Sequence, residues 1–179
     1  MPGGITFTYQ SEVNSFPFDY PGCHIIAGNV RINGSGINDL TNLLVINSIQ
    51  GHLTIDNCNQ LESLSGLSFL FSVGGDLYFE ENPKLVDLHG LNNLRSVGGD
   101  LALFKNNKLK NLTGFDSLRV IGGDLYITAN PLLQNLSGLN HLKIIRKIIN
   151  VKDEPVLTGF SYLTALDSFG GITINNCPG

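Results

Sequence analysis

The chain has 179 residues, enough for one domain with a sizeable buried core. Its 42% apolar and 15% charged content excludes a disordered chain or a charged coiled coil. Eleven basic against fifteen acidic residues leave a net charge of −4, which gives no electrostatic footprint for nucleic acid.

Residues 1–22 read as a leader. Its start, Met1-Pro2-Gly3-Gly4, has neither the basic nor the apolar region of a signal peptide. Its apolar residues Phe7, Tyr9, Phe16, Phe18 and Tyr20 are expected to supply an N-terminal cap. No later apolar run approaches the roughly 20 residues of a membrane span, so no membrane insertion is expected. The twenty-one glycines and abundant asparagines favour tight turns over long helices.

Residues 23–179 are a repeat. Gly28-Asn29-Val30-Arg31-Ile32 is followed by Gly51-His52-Leu53-Thr54-Ile55, then by Val-Gly-Gly-Asp-Leu blocks starting at Val73 and Val97, and by Ile121-Gly122-Gly123-Asp124-Leu125 at the same 24-residue spacing. A degenerate copy spans Ile145 to Val151, and a last one spans Phe169 to Ile174 after a one-residue deletion. Seven coils result. Period-two alternation places Leu77 and Phe79 inside and Tyr78 outside. Asn82-Pro83 and Asn130-Pro131 mark corners, because proline stops a helix or a central strand. The remainder of each coil reads Leu-x-x-Leu-x-Gly-Leu-x-x-Leu, as at Leu133, Leu136, Gly138, Leu139 and Leu142. One coil cannot bury its own leucines, so coils stack. The expected fold is an all-β solenoid, parallel β-helix-like or leucine-rich-repeat-like, right-handed by the crossover rule, with its principal strands in one parallel sheet. Asn82, Asn106 and Asn130 are expected to stack as an amide ladder at the corner, with Cys58 and Cys177 in the same column as buried thiols. Five coils separate those two cysteines, beyond the roughly 7 Å Cα separation a disulfide tolerates, so the thiols are expected to be reduced.

Cys23-His24-Ile25-Ile26-Ala27-Gly28-Asn29-Val30-Arg31-Ile32 resembles the entry motif of the receptor L domain, the ligand-binding module of insulin- and epidermal-growth-factor-type receptors. The Val-Gly-Gly-Asp-Leu repeats with Asn-Pro-x-Leu are similar to L-domain-like surface proteins. The resemblance covers residues 23–179 and implies a solenoid, a secreted or cell-surface setting, and recognition in place of catalysis. There are two departures. The family cysteine at the position of Cys23 usually bonds to an upstream cysteine, and residues 1–22 contain none. The chain also stops at Cys177-Pro178-Gly179, where a further Leu-x-x-Leu segment is expected; open end coils leave room for end-to-end self-association.

Asp76, Asp100 and Asp124 share one position in three coils, with His52 before them. Three carboxylates suit Ca²⁺ or the acid–base pair of a β-helix carbohydrate-active enzyme; the preferred reading is that each accepts a hydrogen bond from the Gly-Gly turn before it. His24, His52, His89 and His141 show no zinc spacing, the cysteines form no Cys-x-x-Cys pair, and the Gly-Gly turns lack the ending of a phosphate loop. No metal, cofactor or enzymatic activity is expected. Asn33, Asn111 and Asn135 head N-x-S/T sequons and are candidate glycan sites. The strand face carries the functional signal: outward Tyr78, Glu80, Phe104, Tyr126, Thr128 and Lys152 form an aromatic patch ringed by polar groups, the usual composition of a recognition hot spot, although stacking aromatics also stabilise a sheet. The expected function is an extracellular recognition or adhesion module for a protein or glycan. A β-helix enzyme using the aspartate ladder, or a purely structural array, are the alternatives.

Overall fold

The computed structural model describes residues 3–178. The chain opens with strand β1 (Gly4–Phe7) and helix α1 (Gln10–Asp19). Each coil then supplies a two-residue strand and a longer one. These are β2 (Ile25–Ile26) and β3 (Asn29–Asn33), β4 (Ser48–Ile49) and β5 (Leu53–Asp56), β6 (Ser72–Val73) and β7 (Leu77–Glu80). The pattern continues through β8 (Ser96–Val97) and β9 (Leu101–Phe104), β10 (Val120–Ile121) and β11 (Leu125–Thr128), β12 (Ile144–Ile145) and β13 (Ile148–Lys152), and ends in β14 (Gly171–Asn175).

The long strands form a parallel sheet in the order β1-β3-β5-β7-β9-β11-β13-β14, and the short ones a second parallel sheet, β2-β4-β6-β8-β10-β12. The all-β solenoid of about seven 24-residue turns is therefore as read from the sequence. Two features differ from that reading. The principal strands form the one sheet expected of them, and a second, unforeseen sheet arises because the segment before Gly-Gly also pairs coil to coil, as in Ser72↔Ser96 and Val73↔Val97. The large sheet also has eight strands, since β1 pairs with β3 from Gly4↔Asn29 to Phe7↔Ile32.

Inward columns fill the space between the sheets and the Leu-x-x-Leu side. Leu53, Leu77, Leu101 and Leu125 form one column and Ile55, Phe79, Leu103 and Ile127 another, all fully buried. In the seventh coil the matching Ile172 and Ile174 are 44% and 43% exposed, because no further described coil lies over them. The glycine of Leu-x-Gly-Leu is sterically required. Gly90, Gly114 and Gly138 have φ of 113°, 119° and 107°, and a Cβ on any of them would lie 2.0 Å from a carbonyl of the coil before. Coils packed at a strand spacing of about 4.8 Å leave no room for that atom.

In the leader, Phe7, Val13 and Phe16 are buried, with Phe7 and Phe16 edge to face at 5.8 Å between ring centroids. Tyr9, Phe18 and Tyr20 are 67%, 84% and 39% exposed, so only Phe7 and Phe16 of the five apolar residues expected in a cap are buried there. Glu12 Oε2 accepts from the Thr8 and Tyr9 amides at 2.6 and 3.0 Å, which fixes the start of α1 as a capping box does. Gln10 ties the helix to the first coil, accepting from the Asn38 and Asp39 amides and donating to the Asp39 carbonyl.

At the corner, the side chains reach back to the preceding coil. Cys58 N donates to Asn82 Oδ1 (3.2 Å), Asn82 N to Asn106 Oδ1 (3.2 Å), and Asn106 N to Asn130 Oδ1 (3.0 Å). Each Nδ2 in turn donates to a main-chain carbonyl of the coil before: Asn82 to Ile55, Asn106 to Phe79 and Asn130 to Leu103. The residue ahead of each corner, including Glu81, Lys105 and Ala129, lies in the left-handed region at φ of 52–58°, a conformation that costs a non-glycine residue roughly 1–2 kcal/mol. The complete pairing of the corner amides offsets that strain.

The sixth corner is occupied by a residue the sequence reading did not single out. Glu154 is fully buried, and its Oε1 accepts from Asn130 N at 2.8 Å and Asn130 Nδ2 at 2.9 Å. Its Oε2 is buried without a partner, in the place where the asparagines carry a donor toward a carbonyl. Burial pushes its pKa up to about 7 against two stabilising bonds from Asn130, with the neighbouring charge of Asp153 adding to the rise.

The three cysteines are free. Cys58 is buried, its thiol pushed up to about 11 first by burial, and it donates to the Ile32 and Asp56 carbonyls at 3.4 Å. Cys23 and Cys177 are half-buried.

Three outcomes are expected. Thiol titration should count three thiols after denaturation, with Cys58 unreactive in the native protein. Asn106→Ala should destabilise the fold by roughly 1–3 kcal/mol, since it strands buried donors and acceptors on two neighbouring coils, while Asn107→Ala at the exposed next position should change the melting temperature little. The folded pKa of Glu154 lies above its value of 4.5 in the unfolded chain, so the native state holds the extra proton. Its stabilisation is complete below about pH 4.5 and is lost as the pH rises through about 7, a change on the order of 2–3 kcal/mol. Melting temperature should fall by several degrees between pH 5 and pH 8, and Glu154→Gln, which supplies an acceptor and a permanent donor, should flatten that slope. An unchanged slope would show that Glu154 is ionised throughout.

Candidate functional site

The strand pairing sets the outer face of the large sheet as two columns. Thr54, Tyr78, Ala102, Tyr126 and Asn150 stand in adjacent register, and beside them Asp56, Glu80, Phe104, Thr128 and Lys152. All six residues expected to form the patch therefore lie on four consecutive strands, β7 to β13. The aromatics do not form one stack. Phe104 and Tyr126 pair at 6.3 Å between centroids with the planes tilted by 34°, whereas Tyr78 is in no aromatic pair among the described residues. Ala102, in the outward column, is fully buried between the two tyrosines. Glu80 and Lys152 are exposed, and the Lys152 ammonium lies 3.7 Å from Asp153, directed toward the corner.

The tyrosine hydroxyls meet the aspartates that precede the strands. Tyr78 Oη donates to Asp76 Oδ2 at 3.3 Å and Tyr126 Oη to Asp124 Oδ2 at 3.0 Å. Burial, then the charges of Asp76 and Asp100, push the Tyr78 hydroxyl up to about 12; the bond to Asp124, then burial, raises that of Tyr126. Both rings are thus fixed as neutral donors before any ligand arrives, which reduces the ordering cost of binding. Nothing in the sequence pattern marks this coupling apart from the Asp-x-Tyr spacing shared by coils three and five.

The aspartates themselves are fastened to the next coil. Asp100 N donates to Asp76 Oδ1, Asp124 N to Asp100 Oδ1, and Ile148 N to Asp124 Oδ1, each at 2.8 Å. The ladder begins earlier than expected, with His52 N on Asn29 Oδ1 at 3.0 Å and Asp76 N on His52 Nδ1 at 2.9 Å. The donor is therefore the amide of the same position one coil later, not the preceding Gly-Gly turn. The second glycine of that turn has its own reason: a Cβ on Gly99 or Gly123 would meet Asp76 or Asp100 Oδ1 at 2.0 or 1.9 Å. Lys147 Nζ lies 3.8 Å from Asp100 and from Asp124. Among the described residues no group of three or more His, Cys, Asp or Glu side chains is placed to hold a metal ion.

One edge of the face is closed by a charge cluster. Arg31 meets Asp56 through two bonds of 2.9 and 2.7 Å, and Asn33 Nδ2 also donates to Asp56. Burial opposes the Asp56 carboxylate, but bonds from Arg31, Asn57 and Asn33 outweigh it and hold its pKa below the usual range. The nitrogen of Asn33 that would carry a glycan is thus engaged. Asn111 and Asn135 use Oδ1 to accept from the Thr113 and Ser137 amides at 3.0 Å.

No helix among the described residues is long and apolar enough to cross a membrane. A profile of the receptor L domain matches residues 22–111, half of the chain. No curated protein matches it.

Proposed function

Since the chain belongs to the receptor L-domain family, a family of non-enzymatic ligand-binding modules typical of the extracellular parts of receptors, we propose that it is a secreted or cell-surface recognition module that holds a protein or glycan partner on the outer face of its large sheet. The observation that carries this reading is the pair of tyrosines flanking buried Ala102, their hydroxyls fixed by Asp76 and Asp124, beside the half-exposed Phe104. Rigid aromatic anchors with a polar surround favour recognition, because little side-chain entropy is lost on contact. Glu80 on one side and Thr128 and Lys152 on the other supply the polar rim. Glycans on Asn111 and Asn135, in the Leu-x-x-Leu segments, leave this face open.

An enzymatic use of the aspartate ladder is less well supported. One oxygen of each aspartate is occupied by a main-chain amide, and a second is taken by tyrosine in two of the three, so these groups are committed to structure before any substrate arrives.

Tyr78→Ala with Tyr126→Ala should weaken binding to ligands selected on a glycan array or from a displayed library of extracellular domains by at least a few hundredfold, since each central anchor contributes about 2 kcal/mol or more. The melting curve should stay near that of the parent. Asp100→Asn keeps the oxygen that accepts from Asp124 N and should leave binding within a few fold. Loss with Asp100→Asn alone would point to carboxylate chemistry, and an unaffected double tyrosine variant would remove the strand-face reading.

A further inference from the structure

On the side of the short sheet, the residue before each short strand forms a column held by successive main-chain bonds: Arg95 N on Phe71 O (3.0 Å), Arg119 N on Arg95 O (2.9 Å) and Lys143 N on Arg119 O (2.9 Å). Three cations therefore stand directly next to one another at the coil spacing of about 4.8 Å, between Phe71 on one side and Asp167, whose N donates to Lys143 O at 2.9 Å, on the other. None of the three has a carboxylate within 4.0 Å among the described residues, and neither does Arg146 just past β12. Elsewhere the solenoid places opposite charges across its coils: Arg31 with Asp56 at 2.7 Å, Lys84 with Glu62 at 3.2 Å and Lys105 with Glu81 at 2.8 Å. Like charges opposite each other in paired strands destabilise, and the fold does not require cations in this column, since Phe71 fills it in the third coil. A row of cations without carboxylate partners in a chain of net charge −4 is a local cost that the scaffold itself does not explain.

From this row we infer a second binding surface, separate from the tyrosine face, which takes a linear sulfated glycan. Three features select that chemistry. The cations lie in a row at fixed pitch, suited to anions spaced along a stiff chain, and the guanidinium of Arg95 offers a planar two-point donor to tetrahedral oxyanions, beside that of Arg119, whose Nη1 is held by the Asp116 and Leu118 carbonyls at 3.3 Å. The row ends on Phe71, 47% exposed, an aromatic face on which a sugar ring can stack. The length, three cations and one aromatic, suits a short oligosaccharide better than a duplex, whose binding needs a wider basic surface.

The test uses the full chain with a heparin hexasaccharide as probe, titrated at two salt concentrations. Binding should weaken as salt rises and be absent with the chemically desulfated hexasaccharide. The triple variant Arg95→Gln, Arg119→Gln, Lys143→Gln should lose at least tenfold in affinity, while a triple of equal charge change elsewhere, Lys84→Gln, Lys105→Gln, Lys108→Gln, should stay within twofold of the parent. Should the first triple alter the melting curve, the single variants Arg95→Gln and Lys143→Gln, at exposed positions, should each weaken binding several-fold. Equal loss in both triples, no binding of the hexasaccharide at low salt, or equally tight binding of a single-stranded oligonucleotide or of phosphatidylserine vesicles would each overturn the inference. The double tyrosine variant should bind the hexasaccharide as the parent does, which separates this surface from the one on the large sheet.

Discussion

A coil of 24 residues is too thin to satisfy its own polar groups, so each coil depends on its neighbours for hydrogen bonds as well as for hydrophobic contact. Two side-chain ladders meet that need, and they run in opposite directions. At the corner, Asn82, Asn106 and Asn130 reach back to the amide of the earlier coil. At the strand entrance, Asn29, His52, Asp76, Asp100 and Asp124 accept from the amide of the later coil. A register slip by one residue would break both at once and would turn every inward leucine outward. The glycines of each coil follow from the same closeness, since a Cβ at Gly99 or Gly114 would overlap the neighbouring coil by more than an ångström.

The ladders also decide which surface groups are free to act. On the large sheet, the aspartate ladder uses one oxygen for structure and offers the other to Tyr78 or Tyr126, so the scaffold that builds the coil also orients the aromatic patch. Coil four lacks the tyrosine and places Ala102 there instead, fully buried between the two tyrosine strands. Beside the short sheet, Arg95, Arg119 and Lys143 of coils four to six have no carboxylate within 4.0 Å among the described residues. The two faces thus differ in chemistry because the repeat is only approximate: the core positions repeat closely, and the outward positions vary from coil to coil.

Glu154 shows how the approximate repeat changes behaviour inside the fold. A carboxyl in the asparagine column supplies the acceptor that Asn130 needs, but supplies the matching donor only when protonated. One substitution in a repeated structural position thereby makes a fold held mainly by pH-insensitive amides and leucines sensitive to pH near neutrality.

What the amino-acid sequence determined by itself was the solenoid: the period, the parallel arrangement, the inward leucines, the corner asparagines and the resemblance to the receptor L domain. These follow from a pattern written several times, and a single coil would not have shown them. It also placed Tyr78, Phe104 and Tyr126 on one face, because the period of two along a strand is unambiguous once the inward residues are known. The direction of each hydrogen bond, the left-handed turn at Glu81, Lys105 and Ala129, the second sheet of two-residue strands, the helix of the leader and the burial of Ala102 were decided only by the tertiary structure. Their cause lies in contacts between residues 24 positions apart, where local propensity is silent: nothing about lysine or alanine favours a positive φ, and two residues make no strand until a neighbour lies beside them. The cation row was written in the sequence as single residues a coil apart, and it became a surface only when stacking brought Arg95, Arg119 and Lys143 side by side.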